Sequence, residues 1–340
     1  FGEMVMGWGH KVAMLACALT ALTVPVRAGE PVNIDNFIRA ETDFYMKSAV
    51  DMGCFGKLCH ARGPIPVDQQ TIIRSNLDTP YSLGVFDLST PVTITMPDAG
   101  KRFQSLLVLS EDHYIKHVSY GPGPVTLTKD MIGTRYVYVM VRTFMDPNDA
   151  KDRQSAAVLQ DSIGVSQANP GTFEVPDWDQ EQRMAVRTAL LAGARHMPDS
   201  RNAFGDEGEV DPVRRLFATA GGWGGNAAKD AIYLNQTVPN QDGKQAYTLT
   251  LGKVPVDGFW SVTVYNAKGF YEDPINAVSV NNVTAKPSKD GTTTIRFGGD
   301  PKAANFINIM PGWNYIVRLY RPRGEILDGS WKLPAAVPAN

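Results

Sequence analysis

At 340 residues the chain is long enough for two domains and a sizeable core. Its formal net charge is −2 and its pI about 6.2, which gives no support to a nucleic-acid partner or to adsorption on an anionic membrane. The 31 glycines and 23 prolines suit a turn-rich β protein.

Met4 or Met6 is the natural start of the reading. Lys11 precedes an apolar run, Val12 to Val26, and Val26-Arg27-Ala28 supplies small residues before Gly29. This is the tripartite pattern of a secretory signal peptide, residues 1–28, cleaved near Ala28. The run is short for a membrane anchor, and no charged stop follows it. Cys17 follows Met14-Leu15-Ala16, a poor lipoprotein site with little apolar sequence before it. No later segment is apolar enough to span a bilayer, so the expected compartment is periplasmic or secreted, without stable membrane insertion after cleavage. The mature chain keeps Cys54 and Cys59, which in an oxidising compartment can close a small disulfide loop. The alternative is half of a metal site, with only His60 nearby and no second pair to complete four ligands.

Asn33 to Val50 reads as a helix capped by Asp35, with Phe37, Ile38, Phe44, Tyr45 and Ala49 at helical spacing. Gly53 to Pro66 is a loop. Ile72 to Phe86 then reads as a strand that bends at Thr79-Pro80 and resumes from Tyr81 to Leu88. In its first part Ile73, Ser75 and Leu77 share one face, and Arg74, Asn76 and Asp78 share the other. A guanidinium, an amide and a carboxylate on one strand face imply a wet cleft or a buried network whose members satisfy one another. Strands follow at Val92–Met96, Phe103–Leu109, Ile115–Tyr120, Val125–Thr128 and Tyr136–Thr143, with the short spacing of a sandwich or barrel. Asp146-Pro147 opens a helix to about Ile163, and Gly164 to Pro176 is a loop. A second helix runs from Asp177 to His196. Asp211-Pro212 caps a third, which ends at Gly221-Gly222-Trp223-Gly224-Gly225. Strands return at Tyr247–Leu251, Phe259–Tyr265, Ala277–Val280, Thr292–Phe297 and Tyr315–Tyr320. The fold class is mainly β with helical insertions: an N-terminal β-rich domain over 29–145, a helical connecting region over 146–230 and a C-terminal β domain over 231–340.

The chain contains no Gly-x-Ser-x-Gly elbow, no Ser-x-x-Lys, no His-Glu-x-x-His and no P-loop. In Glu111-Asp112-His113-Tyr114-Ile115-Lys116-His117, an extended backbone would put Glu111, His113 and His117 on one face. That set suits a divalent metal, an acid and a base, or local hydrogen bonding at a strand end. Asp78, Glu111 and His113 are the candidate acid–base residues. Arg74, Asn76, Thr79, Tyr81, Tyr114 and His117 are candidate binding residues. No residue is assigned as a metal ligand, and a divalent metal stays the lesser alternative. In Gly258 to Asn266, Phe259, Ser261, Thr263 and Tyr265 alternate with Trp260, Val262 and Val264. Trp260 reads first as core, although Trp and Tyr at a sandwich mouth also suit sugars or apolar ligands.

Arg74-Ser-Asn-Leu-Asp-Thr-Pro-Tyr-Ser, with Pro97-Asp-Ala-Gly-Lys-Arg-Phe downstream, resembles the bacterial domain-of-unknown-function family numbered 1254. Gly258-Phe-Trp-Ser-Val-Thr-Val-Tyr-Asn, with Leu319-Tyr-Arg-Pro and Glu325-Ile-Leu-Asp-Gly-Ser-Trp, resembles its habitual partner, the family numbered 1214. Together they cover nearly all of the mature chain. The resemblance implies a two-part β-rich architecture, its C-terminal part a jelly-roll-like β-sandwich, with helices between and frequent export. Some members carry a carboxylesterase label, whereas this chain lacks the serine elbow. The motif positions that transfer are Asn76, Asp78, Thr79 and Tyr81 in the first part, and Trp260, Tyr265 and Arg321 in the second.

Two functional classes follow. A hydrolase of a small ester or lactone would use Asp78, Glu111 or His113 as acid and base, with Arg74 holding an anionic group. A non-catalytic periplasmic protein would bind a small ligand or envelope component between the two β domains. A purely structural role leaves the polar face around Asp78 without a purpose. The expected partner is a small molecule, and homo-oligomerisation stays open.

Overall fold

The computed structural model describes residues 29–70, 74–194, 196–197, 199–272 and 278–339. The expected leader over 1–28 and its cleavage point lie outside these, as do Ile72, Ile73 and Ala277. In chain order the elements are α1 (Phe37–Asp51), β1 (Cys59–His60), β2 (Tyr81–Asp87), β3 (Val92–Met96), β4 (Gln104–Ser110), β5 (Ile115–Ser119), β6 (Gly123–Leu127), α2 (Lys129–Ile132), β7 (Tyr136–Thr143), α3 (Ala150–Asp161), β8 (Gly164–Gln167), α4 (Gln180–Ala194) and α5 (Pro212–Gly222). They continue with β9 (Ala231–Gln236), β10 (Tyr247–Leu251), β11 (Trp260–Tyr265), β12 (Ser279–Asn281), β13 (Thr293–Phe297), β14 (Phe306–Ile307), β15 (Asn314–Tyr320), α6 (Gly324–Leu327) and β16 (Val337–Pro338). The chain is therefore mainly β, with two β-rich units and helices among them. None of the described helices is long and apolar enough to cross a membrane.

The N-terminal unit is built on an antiparallel sheet in the order β1-β2-β7-β4-β5. Every residue of β4 and β7 is buried, because both faces of this sheet are covered. On one face Phe86, Leu106, Val108, Val137, Val139 and Val141 pack against the small sheet β6-β3-β8. On the other, Val85, Leu107, Tyr138 and Met140 pack against Met46 and Ala49 of α1 and Ala218 of α5. The stretch 164–176, expected as a loop, contributes β8, which pairs with β3. Asp211 accepts from the Arg214 amide with Pro212 at the first turn, and Asp149, not Asp146, caps α3, whereas α1 starts from Asn36, not Asp35, without a side-chain cap bond.

Cys54 and Cys59 form a disulfide. The loop it closes lies so tightly on β2 that a Cβ at Gly84 would stand 2.4 Å from the Lys57 carbonyl oxygen.

The C-terminal unit has two four-stranded sheets, β14-β13-β10-β16 and β12-β11-β15-β9. Leu249, Leu251, Ile295 and Phe297 of the first meet Trp260, Val262, Val264, Tyr315, Val317 and Leu319 of the second in one core. The period-2 alternation of β11 holds, and Trp260 is core. The other face of the second sheet is turned to the N-terminal unit.

Candidate functional site

The segment Arg74 to Pro80, expected as a strand, is not one. Arg74 takes a left-handed backbone with φ of 56°, so the alternation of faces fails at its first residue. The segment is a strap between the two units. Its Leu77 packs among Tyr265, Tyr271, Val278 and Ile316, and the Arg74 amide donates to the Gly269 carbonyl. Asn76 folds the strap on itself: its carbonyl accepts from the Asp78 amide at 3.0 Å and its NH2 donates to Thr79 Oγ1 at 2.7 Å.

The strap lies over a row of polar residues that strand register places side by side. Asn281, Ser261, Arg318 and Tyr233 are successive cross-strand partners over β12, β11, β15 and β9. Asp78, fully buried, accepts from Asn281 Nδ2 at 2.8 Å. Burial pushes its carboxyl above the usual range, opposed by the Asn281 bond, by Arg318 and by the Ser261 and Ser279 hydroxyls. Neither hydroxyl makes a well-formed bond to Asp78: its Oδ2 and Ser261 Oγ have no partner, and Ser279 Oγ pairs with Thr263 Oγ1 at 3.2 Å. Arg318 donates to Thr263 Oγ1 at 3.1 Å, to the Arg74 carbonyl at 2.9 Å and to Tyr265 OH at 2.7 Å. Tyr265 OH in turn donates to the Ser75 carbonyl at 2.7 Å. Burial alone would lower the Arg318 pKa, but Tyr265, Tyr320 and Asp78 outweigh it and keep the guanidinium charged.

The N-terminal unit supplies Arg142, at the end of the otherwise apolar β7 and directly across from Tyr81 on β2. Its guanidinium lies 5.4 Å from the centre of the Tyr81 ring. It donates to the Gly224 carbonyl at 2.8 Å and to Asn226 Oδ1 at 3.2 Å, and Asn226 Nδ2 donates to Tyr233 OH at 2.6 Å. Gly224 has φ of 74°, which lets the chain turn sharply after α5 and aim this carbonyl. Tyr320 OH accepts from Asn76 Nδ2 at 2.7 Å, and its ring stacks on Phe259 at 4.4 Å. Arg142 and Tyr320 are buried, whereas Tyr81, Tyr233 and Asn76 are half-buried and form the rim.

Glu111 and His113 are placed differently from the extended-strand expectation. Residues 111–114 form the turn between β4 and β5, with His113 left-handed at φ of 60° and a register shift beside Leu109. Glu111, His113 and His117 therefore do not share a strand face. Glu111 accepts from the Tyr136 amide at 3.1 Å and lies 3.7 Å from Arg39. His113 Nε2 accepts from the Gly224 amide at 2.9 Å. Its Nδ1 faces Thr219 Oγ1 at 3.0 Å, and that hydroxyl donates to the Arg215 carbonyl, so Nδ1 carries the proton. Burial, with Arg215 adding to it, pushes the imidazole down to about 3. It is a neutral ring stacked 5.4 Å from Trp223.

His113 reaches the junction through Gly224, whose amide it binds and whose carbonyl Arg142 binds. No hydrogen bond joins Asp78 to Glu111 or His113 among the described residues. Tyr114 lies under Arg215, 3.9 Å from its guanidinium. His117 is half-buried on β5. His60 pairs across strands with Ser82, 2.7 Å from its hydroxyl. Arg321 is exposed beside the Tyr120 ring, and the junction is served by Arg318 three residues earlier. The residues the sequence reading missed are Arg142, Asn226, Tyr233, Asn281, Arg318 and Tyr320. A guanidinium inside each of two apolar strands, Tyr136–Thr143 and Asn314–Tyr320, was the available signal.

Two surface clefts lie elsewhere. One of about 500 Å³ is lined by Arg62, Arg153, Gln154 and Asp161, and one of about 260 Å³ by Asp43, Phe44, Lys47 and Trp178.

Residues 55–130 match the family described as "Protein of unknown function (DUF1254)", and residues 231–324 match "Protein of unknown function (DUF1214)". The chain pairs a DUF1254 segment with a DUF1214 segment. The DUF1254 match holds the strap and Tyr81, the DUF1214 match holds Tyr233, Asn281, Arg318 and Tyr320, and Arg142 and Asn226 fall between them. No curated protein matches the chain. Among solved structures it is similar to the VPA0106 protein of Vibrio parahaemolyticus, 17% identical with a TM-score of 0.67, over 91% of this chain and 100% of that one. It is also similar to an uncharacterised protein of Burkholderia cenocepacia, 12% identical with a TM-score of 0.51, over 90% and 87%. At these identities the likeness concerns the fold alone.

Proposed function

We propose that this DUF1254–DUF1214 protein is an exported, non-catalytic small-ligand-binding protein whose ligand sits at the junction of its two β units. The observation that carries this reading is the convergence of polar groups from both units on one place: Asn76 on Tyr320, Asp78 on Asn281, and Arg142 with Asn226 on Tyr233. Asp78 Oδ2 and Arg142 Nε keep no partner, and neither do Ser75 Oγ and Ser261 Oγ beside them. An unsatisfied buried group costs about 1–3 kcal/mol, and a ligand that satisfies several recovers that cost. The half-buried Tyr81, Tyr233 and Asn76 give such a ligand a rim to enter by.

A hydrolase would need an acid and a base within reach of each other. Asp78, Glu111 and His113 each have separate partners, and His113 has spent both ring nitrogens, so the binding reading is the better supported. The Cys54–Cys59 disulfide and the apolar run Val12 to Val26 both favour an oxidising, exported setting.

Protein isolated from expressing cells, denatured and analysed by mass spectrometry should release a small molecule in stoichiometric amount. Added back, that molecule should raise the unfolding midpoint of the wild type, and of Asn76→Ala much less. An equal rise in both proteins would place binding elsewhere and overturn the reading.

A further inference from the structure

We infer that the ligand at the junction is a carboxylate anion gripped by Arg142, an inference that rests on the binding reading above. Half-buried Arg153, Arg215 and Arg296 bond backbone carbonyls. But the other fully buried guanidinium among the described residues, Arg183, is neutralised by Glu41, and so are Arg102 by Asp152 at 2.5 Å, Arg135 by Asp87 at 2.8 Å and Arg187 by Glu41 at 3.0 Å. The three arginines of the junction are not. Arg142 bonds the Gly224 carbonyl and an amide oxygen, and Arg318 bonds a hydroxyl, a carbonyl and a phenol. Arg74 bonds Asn235 Oδ1. None has a carboxylate in contact among the described residues.

Asp78 and Asp230 stand in the field of these guanidiniums but are engaged with Asn281 and Tyr120. The junction thus gathers three fixed positive charges and two carboxylates that burial pushes towards their neutral forms. A buried guanidinium without a counter-ion is tolerated poorly, so an anion brought by the ligand is the missing partner.

Arg142 is the place for it. Arg318 is spent on three oxygens, whereas the Nε–H of Arg142 has no well-formed bond, with the Tyr81 hydroxyl the acceptor nearby. One guanidinium edge matches one planar carboxylate, and the Tyr81, Tyr233 and Tyr320 rings around it favour a planar apolar body behind the charge.

Sodium benzoate is the probe, with benzamide as its neutral isostere. In 15N-labelled wild-type protein the arginine Nε–H signals and the Asn226 side-chain amide are followed during titration. Benzoate should move the Arg142 Nε–H signal, benzamide should not, and Arg142→Lys should weaken benzoate at least tenfold while leaving the Asn226 amide folded and visible. If benzamide moves the Asn226 amide as readily as benzoate does, the anion inference falls and the binding reading stands. If benzoate binds equally to Arg142→Lys, Arg142 is not the grip and the inference falls. If neither probe moves any junction signal, the anion inference falls, and the released-molecule experiment decides the binding reading separately. The wild-type titration stands even where Arg142→Lys fails to fold.

Discussion

Two places in this molecule bury arginine, and they do it in opposite ways. Between α1 and α4, Glu41 is almost fully buried and bonds both Arg183 and Arg187, and the Arg183 guanidinium also covers the Phe44 ring at 3.8 Å. There the one carboxylate bridges both guanidiniums, so each of the two cations has a carboxylate of the same chain in contact. At the junction of the two β units Arg142 and Arg318 are each only 3% exposed, and neither has a carboxylate in contact among the described residues. The first arrangement explains itself as architecture. The second is unfinished in charge, and that difference separates a structural ion cluster from a candidate binding site.

The comparison predicts unequal responses to substitution. Glu41→Gln leaves the buried Arg183 and the half-buried Arg187 without their partner, and should cost about 3–5 kcal/mol in urea unfolding while sparing ligand binding. A loss below about 1 kcal/mol would mean that the helical cluster is hydrated and that the contrast with the junction is unreal.

The helical layer also holds a carboxylate that is not neutralised, and it supplies a pH test. Asp43 accepts from Trp178 Nε1 at 2.8 Å, but its other oxygen has no partner. Burial pushes its carboxyl up to about 6, with Glu111 and Asp112 adding to the rise and Trp178 and Arg39 opposing it. A carboxyl whose folded pKa lies above its unfolded value stabilises the fold at low pH, and loses that contribution as pH rises through about 4 to 6. The size is about 2–3 kcal/mol for a rise of about two units. His113 works in reverse: its folded pKa is lowered to about 3, so its contribution is complete above its ordinary 6.5 and is lost as pH falls towards 3. Asp43→Asn removes one slope and keeps the other. Its stability relative to wild type should rise between pH 4 and 7, and parallel curves for the two proteins would refute the Asp43 assignment.

At the junction, Arg142→Met removes a buried charge that has no counter-charge to strand. It leaves the Gly224 carbonyl and Asn226 Oδ1 unpaired, at about 1–3 kcal/mol each, but relieves the burial of an uncompensated charge, so the net loss should fall below that of Glu41→Gln. If Arg142→Met unfolds the protein as readily as Glu41→Gln, the junction is a lock between the units rather than a site.

How much of this was legible in the sequence follows from the range of the interactions. β7 was delimited to the residue, because a run buried on both faces is a local signal, and the alternating faces of β11 were equally local. The strap was misread as a strand because residue alternation carries no information about the left-handed turn at Arg74, and the turn at His113 hid in the same way. Asp78 was singled out, but its partner Asn281 lies 203 residues away, and only strand pairing brings the two together. The motif Leu319-Tyr-Arg-Pro points to Arg321 and leaves Arg318 outside it. Register decides otherwise, since Arg318 and Tyr320 share the face turned to the strap while Val317 and Leu319 face the core.

The smallest expected effect is the most discriminating. Tyr320→Phe removes one acceptor from Asn76, which keeps Thr79 Oγ1 as its second partner. The phenyl ring still stacks on Phe259 and still packs beside Phe103. A single neutral hydrogen bond with half of its donor otherwise satisfied is worth about 0.5–1.5 kcal/mol, so the unfolding midpoint should fall only slightly. If the junction exists to hold a ligand, the released molecule should nevertheless bind more weakly to this variant, because Tyr320 OH holds the strap through Asn76. If it exists to fasten the units, the variant should lose stability well beyond that range with no separate effect on binding. The ratio of the two losses, measured on one protein, therefore distinguishes a seat from a clasp more sharply than any substitution that removes a charge.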